Sequence, residues 1–291
     1  MPEMQLNVSD FHKITYHKFR SDCDKLVVCF SPQGGGMGSK GFGYNVCEKN
    51  GWDYIFVGKA RHTNYVSLDP QEFKESISPV IEGRDVIAYG TSAGGNAALF
   101  YGGVIGARIL SASPRDGRSK LGYTIPKSKT VKSFFPPMIV YDFLQPRDSR
   151  TVAEWTDSIY RNSILINVPN SGHKSLARLN QAGTLSYLLK SFILGSVDPR
   201  LLRFAEGSVE RKYDDAVERY LVRDVQGMVS LLRGDRGVLE RPRLLSLYLE
   251  CLERNSLTDE IEIFRNDLRY VDVSMGALSS SSRRFIKCIS A

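Results

Sequence analysis

Short apolar runs alternate with helix-period segments over the first two-thirds of the chain. Six of these runs read as buried strands, over residues 25–31, 53–57, 84–89, 108–111, 138–141 and 164–168. Between them, apolar residues recur every three or four positions over 40–49, 71–81, 92–104, 151–160 and 174–194, which predicts helices. Continuous apolar runs belong to strands covered on both faces, so the pattern predicts a mostly parallel sheet flanked by helices. Residues 12–20 alternate instead, with Ile14, Tyr16 and Phe19 among polar neighbours, and are expected to form an antiparallel edge strand.

Past Gly195 the texture changes. Strand-like runs stop, and charged, leucine-rich helical patterns follow over 206–221, 225–232, 243–254 and 259–268, with breaks at Gly234, Gly237 and Asn255. The chain therefore divides into an α/β domain over 1–196 and a smaller all-helical domain over 197–291. The second is expected to hold two helical hairpins and to end in a flexible tail at 279–284, Ser-Ser-Ser-Ser-Arg-Arg.

The strand at 84–89 runs into Gly90-Thr91-Ser92-Ala93-Gly94, and a helical segment follows. A serine can be exposed on a sharp strand-to-helix turn only where the flanking residues have almost no side chain, which Gly90 and Gly94 provide. The bland alternative is a glycine-rich turn that merely lets a helix pack closely on a sheet. A serine hydroxyl is a weak nucleophile, so a catalytic role needs a base and an acid to orient it. Among the four histidines, His173 leaves the last predicted strand ahead of a long helix, where it could reach a serine on the same rim. For the acid, Asp142 ends the strand at 138–141, while Asp148 follows in a loop before the helix predicted from Thr151. Loop position gives reach and favours Asp148, although an aspartate there also suits a helix cap. For the oxyanion, the amide of Ala93 is one expected donor, and Gln33 or Gly34 in Ser31-Pro32-Gln33-Gly34-Gly35-Gly36 is the other. That loop lacks the Gly-Lys-Ser/Thr ending of a phosphate-binding P-loop. Arg61, His62 and Tyr65 follow the strand at 53–57 and are expected to contact substrate.

With Ser92, Asp148 and His173 in that chain order, residues 25–194 resemble the α/β-hydrolase superfamily. The chain is also similar to bacterial esterase-like proteins associated with surface-glycan modification, through Arg61-His62-Thr63-Asn64-Tyr65. The resemblance implies an α/β-hydrolase-type sheet and a serine esterase, thioesterase or acyltransferase that needs neither metal nor cofactor. It departs from the superfamily where Asp142-Phe143 stands in place of a glycine, which leaves Asp142 open as the acid. The alternative is a non-catalytic hydrolase-like scaffold whose helical C-terminal domain binds a protein partner.

Charge narrows the substrate. The net +7 does not extend to the helical domain, where residues 197–291 carry 16 basic and 16 acidic side chains. Residues 113–136 concentrate Arg115, Arg118, Lys120, Lys127, Lys129 and Lys132 against Asp116, where α/β-hydrolases insert substrate-covering elements. Bases over the rim would attract an anionic substrate: an acyl carrier, a phosphorylated or acidic glycan, or an anionic lipid, the ester being carried by a small molecule, an acyl carrier or a glycan. With Tyr123 the one aromatic among them before Phe134-Phe135, they do not read as a nucleic-acid surface. Cys23, Cys29, Cys47, Cys251 and Cys288 show no Cys-x-x-Cys spacing, the polar N-terminus shows no signal pattern, and no run is long enough to span a membrane. A cytoplasmic setting is therefore expected.

Overall fold

A computed structural model describes residues 3–61, 63–116, 124–268 and 275–290. They divide into two compact units, Met1–Arg203 and Phe204–Ala291. The first is built on β1 (Glu3–Val8), β2 (His12–His17), β3 (Lys25–Phe30), β4 (Asp53–Lys59), β5 (Asp85–Thr91), β6 (Arg108–Ala112), β7 (Met138–Tyr141) and β8 (Ile164–Asn167). These form one eight-stranded sheet in the order β1-β2-β4-β3-β5-β6-β7-β8. β1 and β2 join antiparallel, β2 meets β4 antiparallel, and every other pair is parallel.

Side chains alternate across the central strands, so each strand feeds two cores. Leu26, Val28 and Phe30 of β3, Ile55 and Val57 of β4, and Val86 and Ala88 of β5 bury on one face. That core also takes in Phe73 and Ile77 of α2 (Pro70–Ile81), Ala97, Ala98 and Leu99 of α3 (Ala93–Tyr101), and Val152 and Trp155 of α4 (Pro146–Ser158). Val27, Cys29, Tyr54, Phe56, Ile87 and Tyr89 bury on the other. There they meet α1 (Tyr44–Asn50), α5 (Ser175–Gln181) and α6 (Leu185–Leu194). Burial on both faces is why these strands read as unbroken apolar runs.

Three local expectations are corrected. Residues 12–17 do not form the edge: β1 lies outside them, and its mostly exposed side chains gave it no apolar signature. The helix predicted over 174–194 is two helices, interrupted where Gly183 adopts φ 73°. α4 begins at Pro146, five residues before Thr151, with proline in the first turn, where its missing N–H has no intrahelical acceptor to lose.

The second unit comprises α7 (Val209–Leu221), α8 (Val225–Leu232), α9 (Pro242–Arg254), α10 (Thr258–Leu268) and α11 (Ser280–Ser290). Tyr213, Val217, Met228, Leu232, Leu245, Tyr248, Leu252 and Phe264 are buried in it. The expected tail at 279–284 instead opens α11: Ser279 Oγ accepts the Ser282 amide at 3.1 Å, and Ser282 and Ile286, four residues apart, are buried.

One buried ion pair ties the base of the sheet together. Asp53, 1% exposed, accepts the Tyr16 hydroxyl at 2.6 Å and the Phe19 amide at 2.7 Å, and pairs with Arg84 at 2.9 Å. Burial, reinforced by that bond, pushes the Tyr16 phenol up to about 12. Removing the carboxylate strands a largely buried guanidinium, so Asp53→Ala is expected to cost about 3–5 kcal/mol in urea unfolding. A loss under about 1 kcal/mol, typical of a surface pair, would contradict this.

Candidate active site

Only Ser92 separates β5 from α3, and it sits at φ 57°, ψ −123°. The turn is this sharp because the backbone on either side is crowded. A Cβ at Gly90 would lie 2.2 Å from the Gly94 carbonyl oxygen, and one at Gly94 would lie 2.2 Å from the Phe30 carbonyl oxygen. The Ser92 amide donates to Ala112 O at 2.9 Å, and the Arg115 amide donates to Ser92 O at 3.2 Å, which pins the turn to the end of β6. Ala93 opens α3, so its N–H belongs to the first turn, where amides lack intrahelical acceptors.

Three further elements converge here. His173 stands in the loop between β8 and α5, with Nε2 2.9 Å from Ser92 Oγ. Its Nδ1 lies 2.8 Å from Asp148 Oδ2 and 3.0 Å from Oδ1. A carboxylate can only accept, so Nδ1 carries the proton toward Asp148 and Nε2 is left to accept the Ser92 hydroxyl. Asp148 is fully buried in the first turn of α4, where helix amides favour a negative charge. It is thus a helical residue, not the loop residue expected.

Asp142, the other candidate acid, has a different position. Its Oδ2 accepts the Gly172 amide at 2.9 Å and its Oδ1 the Leu144 amide at 3.0 Å. It braces the His173 loop from the end of β7. Arg115 completes the group: its Nε and Nη2 donate to Asp148 Oδ1 at 2.8 and 2.6 Å, and its side chain is 26% exposed.

Of the basic segment, residues 113–116 and 124–136 are described. From Arg115 and Asp116 it reaches Lys127, which pairs with Asp116 at 3.1 Å and with Glu154 of α4. It then reaches Ser133, whose hydroxyl donates to Ala107 O at 2.7 Å, beside the opposite end of β6. Of the segment's described bases only Arg115 touches the Ser92 group. Arg118 and Lys120 lie outside the described residues.

The glycine-rich loop after β3 is anchored from below. Gly35 N donates to Pro32 O at 3.1 Å, closing a turn with Gln33 and Gly34 at its centre. Lys59 Nζ donates to Gln33 O at 3.2 Å. The Tyr65 hydroxyl donates to Ser31 O at 2.8 Å and Val57 O at 3.1 Å. At 1% exposure Tyr65 is a support for this loop and not the substrate contact expected. Arg61 is exposed in the turn after β4, and His62 lies outside the described residues. Sequence reasoning missed Lys59, because a lysine ending an apolar strand reads as an ordinary solvated residue. It is instead fully buried, and burial lowers its pKa to about 8. Among the described residues no cluster of three or more His, Cys, Asp or Glu side chains could hold a metal ion, and no helix is long and apolar enough to cross a membrane.

The sheet order and the serine turn are those of an α/β-hydrolase-type fold. Solved structures similar to the chain include the capsule O-acetyltransferase of Neisseria meningitidis serogroup A, at 16% identity and TM-score 0.46, covering 64% of this chain and 93% of that one. A sugar hydrolase, YeeB, from Lactococcus lactis aligns at 14% identity and TM-score 0.46, over 78% and 100% of the two chains. Mouse alpha/beta hydrolase domain-containing protein 10 aligns at 13% and 0.43, over 67% and 99%. Identities this low transfer no activity. No protein-family model matches the sequence, and no curated protein does.

Two measurements check the site's construction. Gly94→Ala is expected to lose about 3 kcal/mol in urea unfolding, since the added methyl meets the Phe30 and Ser31 carbonyl oxygens at 2.2 and 3.0 Å and overpacking against backbone is costly; a loss within about 0.5 kcal/mol, the range of an inert surface change, would contradict the close approach. For Lys59, the unfolded chain binds a proton that the folded chain releases between pH about 8 and 10.5. The burial penalty is therefore full below about 8 and relieved toward 10.5. The stability advantage of Lys59→Met over wild type should shrink across that window, and an advantage independent of pH would contradict a buried ammonium.

Proposed function

We propose that the protein is a serine hydrolase or acyltransferase acting on acyl esters or thioesters. The observation that carries this reading is the unbroken hydrogen-bond chain from Ser92 through His173 to Asp148, at 2.9 and 2.8 Å, on a strand-to-helix turn. Ser92 Oγ attacks the acyl carbonyl while His173 Nε2 takes its proton, and Asp148 holds the imidazole and stabilises the imidazolium that forms. Ala93 N–H and a second amide from the loop 32–35 stabilise the tetrahedral oxyanion. Collapse breaks the bond to the alkoxide or thiolate, which leaves with the proton from His173 and yields an acyl-Ser92 enzyme. Water then attacks in an esterase or thioesterase, and a sugar hydroxyl attacks in an acyltransferase; both halves use the same base.

Arg115 supports an anionic substrate. Its partly exposed guanidinium lies against Asp148, next to His173, where it could meet a carboxylate or phosphate carried by the acyl donor or acceptor. The five free thiols fit a reducing, cytoplasmic setting.

A fluorophosphonate probe tests the reading, because it phosphonylates only an activated serine. Wild-type protein is expected to label at Ser92, Ser92→Ala not at all, and Asp148→Asn about 10³–10⁴-fold more slowly, by analogy with the loss of a triad acid. Asp142→Asn, which weakens the brace on the His173 loop and leaves the Ser92, His173 and Asp148 side chains in place, should slow labelling about tenfold. Absence of labelling in folded wild-type protein, or equal rates for the two aspartate variants, would overturn the assignment.

A further inference from the structure

Lys59 has no role in the triad, yet its side chain reaches the backbone of the glycine-rich loop. It is fully buried at the end of β4, and among the described residues no carboxylate lies within ion-pair distance of it. Its ammonium lies 3.2 Å from the Gln33 carbonyl oxygen and 6.0 Å from the centre of the Tyr65 ring. An unpaired buried cation is costly, so its one strong contact marks where that cost is offset.

The contact fixes more than an oxygen. Gln33 C=O and Gly34 N–H belong to one planar trans peptide, so they point in opposite directions. In a four-residue turn this central peptide can face either way, and the two facings differ chiefly in whether the third residue has positive φ. Gly34 is not among the positive-φ residues here, yet as a glycine it could take the flipped form with no steric penalty, and nothing lies within 4 Å of a Cβ placed on it. The loop backbone thus has two sterically accessible states, and the Lys59 bond to Gln33 O matches one of them.

Building on the serine-hydrolase reading, we infer that Lys59 is a positioning residue: by holding the Gln33 carbonyl inward it turns the Gly34 N–H outward as the second oxyanion donor. Of the two candidate donors the inference selects Gly34, whose N–H shares the peptide that Lys59 holds, whereas the Gln33 N–H belongs to the preceding peptide. Catalytic competence then depends on a buried cation beneath the loop, in addition to the triad.

The test uses the same fluorophosphonate on the full chain, with urea unfolding measured in parallel. Lys59→Met keeps the apolar stem of the side chain and removes the ammonium. It is expected to be at least as stable as wild type and to label at least about tenfold more slowly, as a partly misdirected oxyanion donor requires. With an activated ester as substrate, kcat should fall while KM stays within about twofold. Lys59→Gln, which retains a neutral N–H donor, should lie between the two, and carries the comparison if Lys59→Met does not fold. Adding Gly34→Ala to Lys59→Met should recover several-fold of the rate, because alanine resists the positive φ of the flipped turn. Wild-type rates in Lys59→Met, a rate loss that only tracks lost stability, or no recovery from Gly34→Ala would overturn the inference. Wild-type protein that does not label at Ser92 would instead remove the reading on which it rests.

Discussion

The architecture of the site depends on how closely α3 crosses the strands beneath it. The helix begins against the ends of β3 and β5, where a single methyl at residue 94 would sit 2.2 Å from the Phe30 carbonyl oxygen. That contact leaves one residue for the reversal from strand to helix, and Ser92 takes it at a positive φ. Such a backbone is unfavourable for serine and persists because its surroundings over-determine it. The amide bonds to Ala112 and from Arg115 supply part of that constraint. With the turn fixed, the serine hydroxyl is presented at the rim and the first amides of α3 stand beside it.

Around this turn, the polar groups are placed by secondary structure and then braced by one another. Asp148 is set by the first turn of α4, and Asp142 at the end of β7 holds the loop that carries His173. Lys59 and Tyr65 hold the opposite loop from below through Gln33 and Ser31. Each of these groups is buried, and each has a hydrogen-bond partner at the rim, which is what makes a polar site in a hydrophobic fold tolerable. Arg115 bridges the two sides, with its backbone on Ser92 and its guanidinium on Asp148.

What could be read from the chain follows from which signals are local. The buried strands and the serine turn are local, because a strand covered on both faces must be apolar throughout and a sharp turn must be flanked by glycine. The pairing of Ser92 with His173 and Asp148 was accessible from chain order, since each follows a strand whose end lies on one rim. β1 was invisible because its side chains are exposed, so only its backbone bonds to β2 define it. α11 was hidden because four serines read as solvent-loving, although one caps the helix and another is buried in it. The anchoring of Ser133, the brace at Asp142 and the burial of Lys59 are tertiary facts: each depends on which distant backbone group lies within 3.2 Å, and no periodicity records that.

The central claim is that Ser92, driven by His173, forms a covalent acyl intermediate. Rapid acid quench of the protein with p-nitrophenyl acetate, followed by mass mapping of its peptides, tests it most directly. The account predicts one acetyl group, on the peptide carrying Ser92, formed at the rate of the nitrophenol burst and missing from His173→Ala. Nitrophenol release at that rate with no acetyl on Ser92, or with the acetyl on another residue, would contradict it.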